Sequence, residues 1–166
     1  RYYYQARIPA KDATLIARLP TPELRRAWRR RLHDHDGDKP NTGGIARWLR
    51  LTDGLGLDRD YVVSTKGLLP ITRFAVDAYV NFARNQPWPI AIASSLTELF
   101  APDLMTARLE AFEKFYPWID ARGLDYFRRR LTQARRDSDE ALTITLEYCN
   151  TPELQREAVR ALEFKC

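Results

Sequence analysis

Histidine is almost absent from this 166-residue chain: there are two, His33 and His35, within Leu32-His33-Asp34-His35-Asp36-Gly37. Two positions apart on a helix, they face different ways and do not close on one ion. A phosphohydrolase of the His-Asp type needs a further histidine, and a di-iron bundle needs Glu-x-x-His pairs, which are missing. A metal site is therefore not expected. Cysteine is equally scarce: Cys149 and Cys166 cannot build a disulfide framework or a zinc site, and they fit a reducing, cytoplasmic compartment. Cys149 has no base beside it in sequence and reads as an inert thiol. No apolar run approaches the roughly 20 residues that cross a bilayer. Seven Gly and ten Pro exclude a collagen-like or low-complexity chain. Also absent are a Gly-x-Ser-x-Gly elbow, a dinucleotide fingerprint and the Gly-Lys-Ser/Thr end of a phosphate loop.

Arginine, by contrast, is abundant. Lys and Arg total 27 against 22 Asp and Glu, a net charge of +5; five of the cations are Lys, which leaves 22 Arg. Arg grips carboxylates and phosphates through a planar, two-pronged donor set and tolerates burial better than Lys. Hydrophobic residues make up 45% of the chain, enough for one core. Nearly every stretch reads as helix, and period-2 alternation bounded by turn residues does not occur. Thr21-Pro22-Glu23-Leu24 and Thr151-Pro152-Glu153-Leu154 spell one start signal. Each has a Thr cap, Pro at the first helical position and an acid at the positive end of the dipole. Further helices are predicted at about 10–18, 44–53, 70–85, 89–100, 103–116, 121–136 and 139–149. Residues 37–44 (GDKPNTGG) read as a flexible connection able to serve as a lid. The chain opens inside one helix at Arg1–Gln5 and stops inside another at Ala158–Cys166. The expectation is one all-α domain over 1–166, lacking N- and C-terminal helices.

Helix geometry sharpens the charge argument. At about 100° per residue, Leu24, Trp28, Arg31, Leu32 and His35 share one stripe, while Arg25, Arg26, Arg29 and Arg30 lie on the other side. The pattern recurs. Lys165 follows Leu154, Ala158, Ala161 and Leu162; Arg1, Tyr4 and Gln5 share a stripe with Ile8. Tyr126, Arg130 and Gln133 run beside Leu124, Phe127, Leu131 and Ala134, and Tyr79 adds a phenol to the apolar run Ile71, Phe74, Ala75, Ala78 and Phe82. Burying a charge costs several kcal/mol unless it is paired, so inward Arg and Lys ask for a reason. One reason is a polar cavity for a flat, multiply anionic ligand. Structural ion pairs, a tyrosine bonded to a backbone carbonyl and a core histidine fit the pattern equally well. A competing class is a polyanion- or nucleic-acid-binding surface built on Arg25, Arg26, Arg29, Arg30, Arg128, Arg129, Arg135 and Arg136. Mixed charge along the chain and a modest net charge weigh against nucleic acid.

Taken in order, several stretches resemble the pyrroloquinoline-quinone (PQQ) synthase family, PqqC. They are Arg1-Tyr2-Tyr3-Tyr4-Gln5, Ile8-Pro9-Ala10-Lys11-Asp12-Ala13, His33 to Gly37, Gly43-Gly44-Ile45, Trp48-Leu49-Arg50-Leu51 and Arg73-Phe74-Ala75-Val76-Asp77-Ala78-Tyr79. Ser94 to Pro102, Tyr116-Pro117-Trp118-Ile119 and Phe164-Lys165 complete the set. The resemblance implies a compact haem-oxygenase-like helical fold without haem, usually a homodimer, and a membrane-free, cytoplasmic enzyme. It implies an oxidase that closes the last ring of the PQQ precursor, AHQQ, and removes eight electrons. Dioxygen is the co-substrate, hydrogen peroxide is formed, and no metal or redox cofactor is used. The product PQQ, an ortho-quinone with three carboxylates, is the expected ligand. A thiaminase-like relative is the alternative on the same fold. By resemblance, His35 is the general base, and Tyr126 and Arg130 line the dioxygen side. Arg1, Tyr4, Gln5, Lys11, Arg31, Arg108 and Lys165 hold carboxylates and quinone oxygens, and Tyr79 is a further pocket tyrosine. Met105 stands where many family members have a second site histidine, and a thioether cannot carry a proton.

Overall fold

Local chemistry starts the helices where the sequence says it should. In the computed structural model, which describes residues 1–166, the Thr21 hydroxyl accepts from the Leu24 amide at the head of α2 (Pro22–Asp36). Thr151 does the same for Leu154 at the head of α9 (Pro152–Lys165). The other elements are α1 (Tyr2–Ile16), α3 (Gly43–Gly54), α4 (Arg59–Ser64), α5 (Pro70–Asn85), α6 (Trp88–Ala93), α7 (Ala101–Phe115) and α8 (Asp125–Tyr148). A 3-10 segment, Ser94–Phe100, joins α6 to α7. The class is all-α, as expected.

Five local features differ from the sequence reading. Pro9 sits inside α1, which is continuous rather than starting afresh near residue 10. The predicted helices at 121–136 and 139–149 are one helix, α8. The predicted helix at 89–100 tightens to 3-10 geometry from Ser94, and α4 was not foreseen. On α5 the buried face is Val76, Tyr79, Val80 and Ala83, whereas Ile71 and Phe74 lie exposed.

Two hydrophobic clusters form the interior. The larger joins α1, α2, α6, α8 and α9 through Leu15, Trp28, Ile92, Ala141, Ile144, Ala158 and Ala161. The smaller joins α3, α7 and α8 through Leu51, Met105, Leu124, Tyr126 and Phe127. Helix α8 contributes Phe127 to one and Ala141 to the other. Between them its buried face carries Arg130, Ala134, Asp137 and Ser138. At 1.5 Å rise per residue, Arg130 and Asp137 stand about 10 Å apart along the axis. The polar belt of the molecule thus lies between its two apolar halves, and the site opens there.

The 37–44 segment is a tight turn. Thr42 donates its hydroxyl to the Lys39 carbonyl at 2.6 Å and accepts from the Lys39 amide, while Arg50 donates to Asn41 O. Gly43 has φ +79°, and a Cβ there would meet His35 O and Gly37 N at 2.5 Å. Only glycine lets α3 cross this close to the end of α2.

Candidate active site

A cavity of about 210 Å³ opens in the polar belt. α1 supplies Tyr4, Gln5 and Lys11, with Arg1 at its N-cap; α2 supplies His35; α5 supplies Tyr79. α7 supplies Arg108, α8 supplies Tyr126 and Arg130, and α9 supplies Lys165. Ten of the eleven residues named from the sequence therefore meet at one place, from six helices. The eleventh, Arg31, does not line the cavity. It lies behind the wall at 3% exposure, with its guanidinium 4.4 Å from the Trp28 ring centre.

Sequence reasoning missed Glu98, a carboxylate on the 3-10 segment that also lines the cavity. It bridges two arginines: Arg31 at 2.7 Å and Arg130 at 3.1 Å. The signal for it was indirect, because an inward Arg needs an anion and the sequence does not show which. Burial works to raise the Glu98 carboxyl, yet the guanidiniums of Arg31 and Arg130 prevail and hold it below its ordinary range. Lys11 is matched likewise: Asp12 lies 2.6 Å from its Nζ and also accepts from Trp28 Nε1 at 2.8 Å. Burial opposes the Lys11 charge, but Asp12 outweighs it and the ammonium is stabilised.

The cavity cations fall into two groups. Lys11 and Arg130, with Arg31 behind, are neutralised by the buried Asp12 and Asp137 and the half-buried Glu98. Arg1, Arg108 and Lys165 make no ion pair, and each borders the cavity. Arg1 and Lys165 lie on aromatic faces instead. The Arg1 guanidinium is 4.3 Å from the Tyr4 ring centre, and Lys165 Nζ is 4.6 Å from Tyr4 and 4.2 Å from Tyr79. Burial lowers the Lys165 ammonium. Burial works to raise the Tyr79 phenol, but Lys11 and Lys165 prevail and hold it below its usual range. Such a site is poised for anions, since three unpaired charges border one cavity, Arg1 and Arg108 exposed and Lys165 half-buried.

His35 is the one imidazole bordering the cavity. Burial pushes its pKa down to about 4, with Arg130 and Arg31 acting the same way and Asp12 and Glu98 against. Its Nδ1 is buried without a hydrogen-bond partner, and a Cβ added at Gly44 would lie 3.5 Å from that atom. A neutral ring with a free nitrogen can accept a proton. The other histidine, His33, is exposed and pairs with Asp38 at 2.8 Å. Tyr126 stands edge-on to Trp48 and its hydroxyl lies 2.7 Å from the Gln5 amide, whose oxygen also faces Arg1 at 3.3 Å. Met105 is buried and packs with Tyr126 and Phe127 while bordering the cavity.

Outside the cavity, arginines are largely matched. Arg26 pairs with Glu23, Arg30 with Glu140, Arg128 with Glu113, Arg129 with Asp125 and Arg136 with Asp34. Of the eight proposed for a nucleic-acid face, five are thus opposed by carboxylates.

With that geometry in place, comparison with known proteins assigns the chain. A family model described as the TENA/THI-4/PQQC family matches residues 1–166. The chain belongs to this family. Its all-α architecture is the family's haem-oxygenase-like helical fold. It is 65% identical over 166 residues to a pyrroloquinoline-quinone synthase of Gluconobacter oxydans, matching all of this chain and 70% of that one. It is 59% identical over 166 residues to a pyrroloquinoline-quinone synthase of Granulibacter bethesdensis, spanning 65% of that protein. It is 55% identical to a bifunctional coenzyme PQQ synthesis protein C/D of Methylorubrum extorquens, of which it spans 45%.

Proposed function

We propose that the chain is the catalytic body of a pyrroloquinoline-quinone synthase. It takes the tricarboxylate precursor AHQQ, closes its last ring and oxidises it to PQQ, with dioxygen as electron acceptor and hydrogen peroxide as product. The observation that carries this reading is the unpaired set Arg1, Arg108 and Lys165 around one cavity. Three free cations answer the three carboxylates of PQQ, and the relatives' names agree with that chemistry.

The residues divide the work. Arg1, Arg108 and Lys165 hold the carboxylates, with Lys11, Gln5 and Tyr4 at the quinone oxygens and ring. Tyr79 closes the far wall, and Arg31 supports the floor through Glu98. Fixing the amino-acid arm over the ring favours closure, because the amine then attacks within one molecule. His35, neutral when the cavity is empty, accepts protons from the ring carbons. Carboxylates of the bound ligand stabilise its protonated form, so binding strengthens the base at the moment it is needed. Arg130 uses two of its five donor hydrogens on Glu98 and Asp137 and keeps the rest for the cavity. Its fixed charge, beside the Tyr126 hydroxyl, stabilises oxygen as it is reduced. The chemistry needs no resident metal or redox cofactor. The working enzyme is a cytoplasmic homodimer acting on a small molecule, with neither nucleic acid nor membrane as partner.

The test is to supply the complete native chain with AHQQ in air and follow PQQ and peroxide. Both form, and Arg130→Ala slows a step that consumes dioxygen. A folded protein that binds PQQ yet leaves AHQQ unchanged contradicts the reading.

A further inference from the structure

Behind Arg130, outside the cavity, lies a carboxylate to which no role of its own has yet been given. Asp137 is 1% exposed, seven residues on from Arg130 along α8. Three arginines converge on it. Its Oδ2 accepts from Arg130 Nη1 at 3.2 Å and lies 3.9 Å from Arg31 Nη1. Its Oδ1 accepts from Arg136 Nε at 3.1 Å and from Arg136 Nη2 at 2.5 Å, and its backbone carbonyl accepts from Arg31 Nη1 at 3.3 Å. Arg136 in turn is tied to Asp34, which also accepts from Gln133. We infer that Asp137 is a positioning residue, the back anchor that fixes the Arg130 guanidinium at the dioxygen side of the cavity.

Arg130 is held from two directions, by Glu98 at 3.1 Å and by Asp137 at 3.2 Å. With one anchor a guanidinium can pivot; with two it is fixed, and fixed charge is what stabilises a developing anion without reorganisation. A stability role alone does not require this convergence, since a buried ion pair is often replaceable by apolar packing at no cost. The carboxylate also offsets one of the three guanidinium charges, so the free positive charge of the site stays with Arg1, Arg108 and Lys165.

The inference rests on the synthase reading, and the experiment separates the two. In the complete native chain, Asp137→Asn keeps the side-chain volume and leaves the Arg31 contact to the backbone carbonyl intact. PQQ binding should be unchanged or tighter, because the interior gains one positive charge. kcat should fall about ten- to a hundredfold from loss of orientation, with KM unchanged or lower. Combined with Arg130→Ala, the Asn variant should cost nothing further in kcat, since it acts through that arginine. Should the uncompensated charge prevent folding, Asp137→Asn with Arg136→Gln removes one acid and one base together, and the kcat deficit should persist. Wild-type kcat in a folded Asp137 variant, alongside an impaired Arg130→Ala, overturns the inference. Additive losses in the double variant overturn it as well. A native chain that forms no PQQ, or an Arg130→Ala with full activity, overturns the functional reading and this inference with it.

Discussion

His35 shows how the surroundings of one residue reverse its ordinary behaviour. An exposed imidazole is half-charged near pH 6.5, but burial pushes this one down to about 4. The unfolded chain therefore binds a proton that the folded chain refuses, and stability falls as pH drops from about 6.5 towards 4. The loss attributable to this ring is about 3 kcal/mol when complete. Asp12 and Glu98 are held below their ordinary range, so their stabilisation is intact over most of this window and starts to be lost only as pH falls to the ordinary carboxylate range at its lower end. His35→Asn should flatten the decline between pH 6.5 and 4. Urea midpoints at pH 7 and 4.5 for both proteins check this; an equal loss in the two contradicts it. At this scale the site was legible where a polar side chain broke an apolar stripe, as Arg31, His35 and Lys165 do. Glu98 and Asp137 were not, because one carboxylate among 22 acids announces no partner.

At the scale of elements, helix starts were readable and helix continuity was not. Thr21 and Thr151 cap their helices as their sequences dictate, since that hydrogen bond is local. The Asp137-Ser138-Asp139 run lies where the two predicted helices part, and such residues favour turns. Yet α8 continues through it, since Arg31, Arg130 and Arg136 gather on Asp137 and Ser138 donates to the Arg135 carbonyl. Long-range pairing overrode local preference. Amide hydrogen exchange should accordingly protect residues 138–142 as strongly as the flanking turns of α8. Rapid exchange confined to that stretch would restore the two-helix reading. The Gly37–Gly44 turn belongs here too: at Gly44 a Cβ would sit 3.3 Å from Asp34 O and 3.5 Å from His35 Nδ1. Gly44→Ala should therefore disturb His35 through packing, with activity lost before stability.

Across the whole molecule, function follows from where the two apolar clusters fail to meet. The polar belt between them admits buried charge only because carboxylates answer most of it, and the remaining cations border the cavity unpaired. The all-α class was visible in periodicity, but a cavity drawn from six helices was not derivable from stripes alone; the stripes said which residues point inward, not that they converge. In the function proposed above, the unpaired Arg1, Arg108 and Lys165 bind the tricarboxylate PQQ. A ligand that binds only the native state raises its melting temperature by mass action. The most direct measurement is the thermal melt of this chain with and without excess PQQ, repeated for Arg108→Ala. A cooperative transition that PQQ shifts upward, with a smaller shift in Arg108→Ala, is the predicted result. A cooperative transition indifferent to PQQ, or one shifted equally in the variant, contradicts the account.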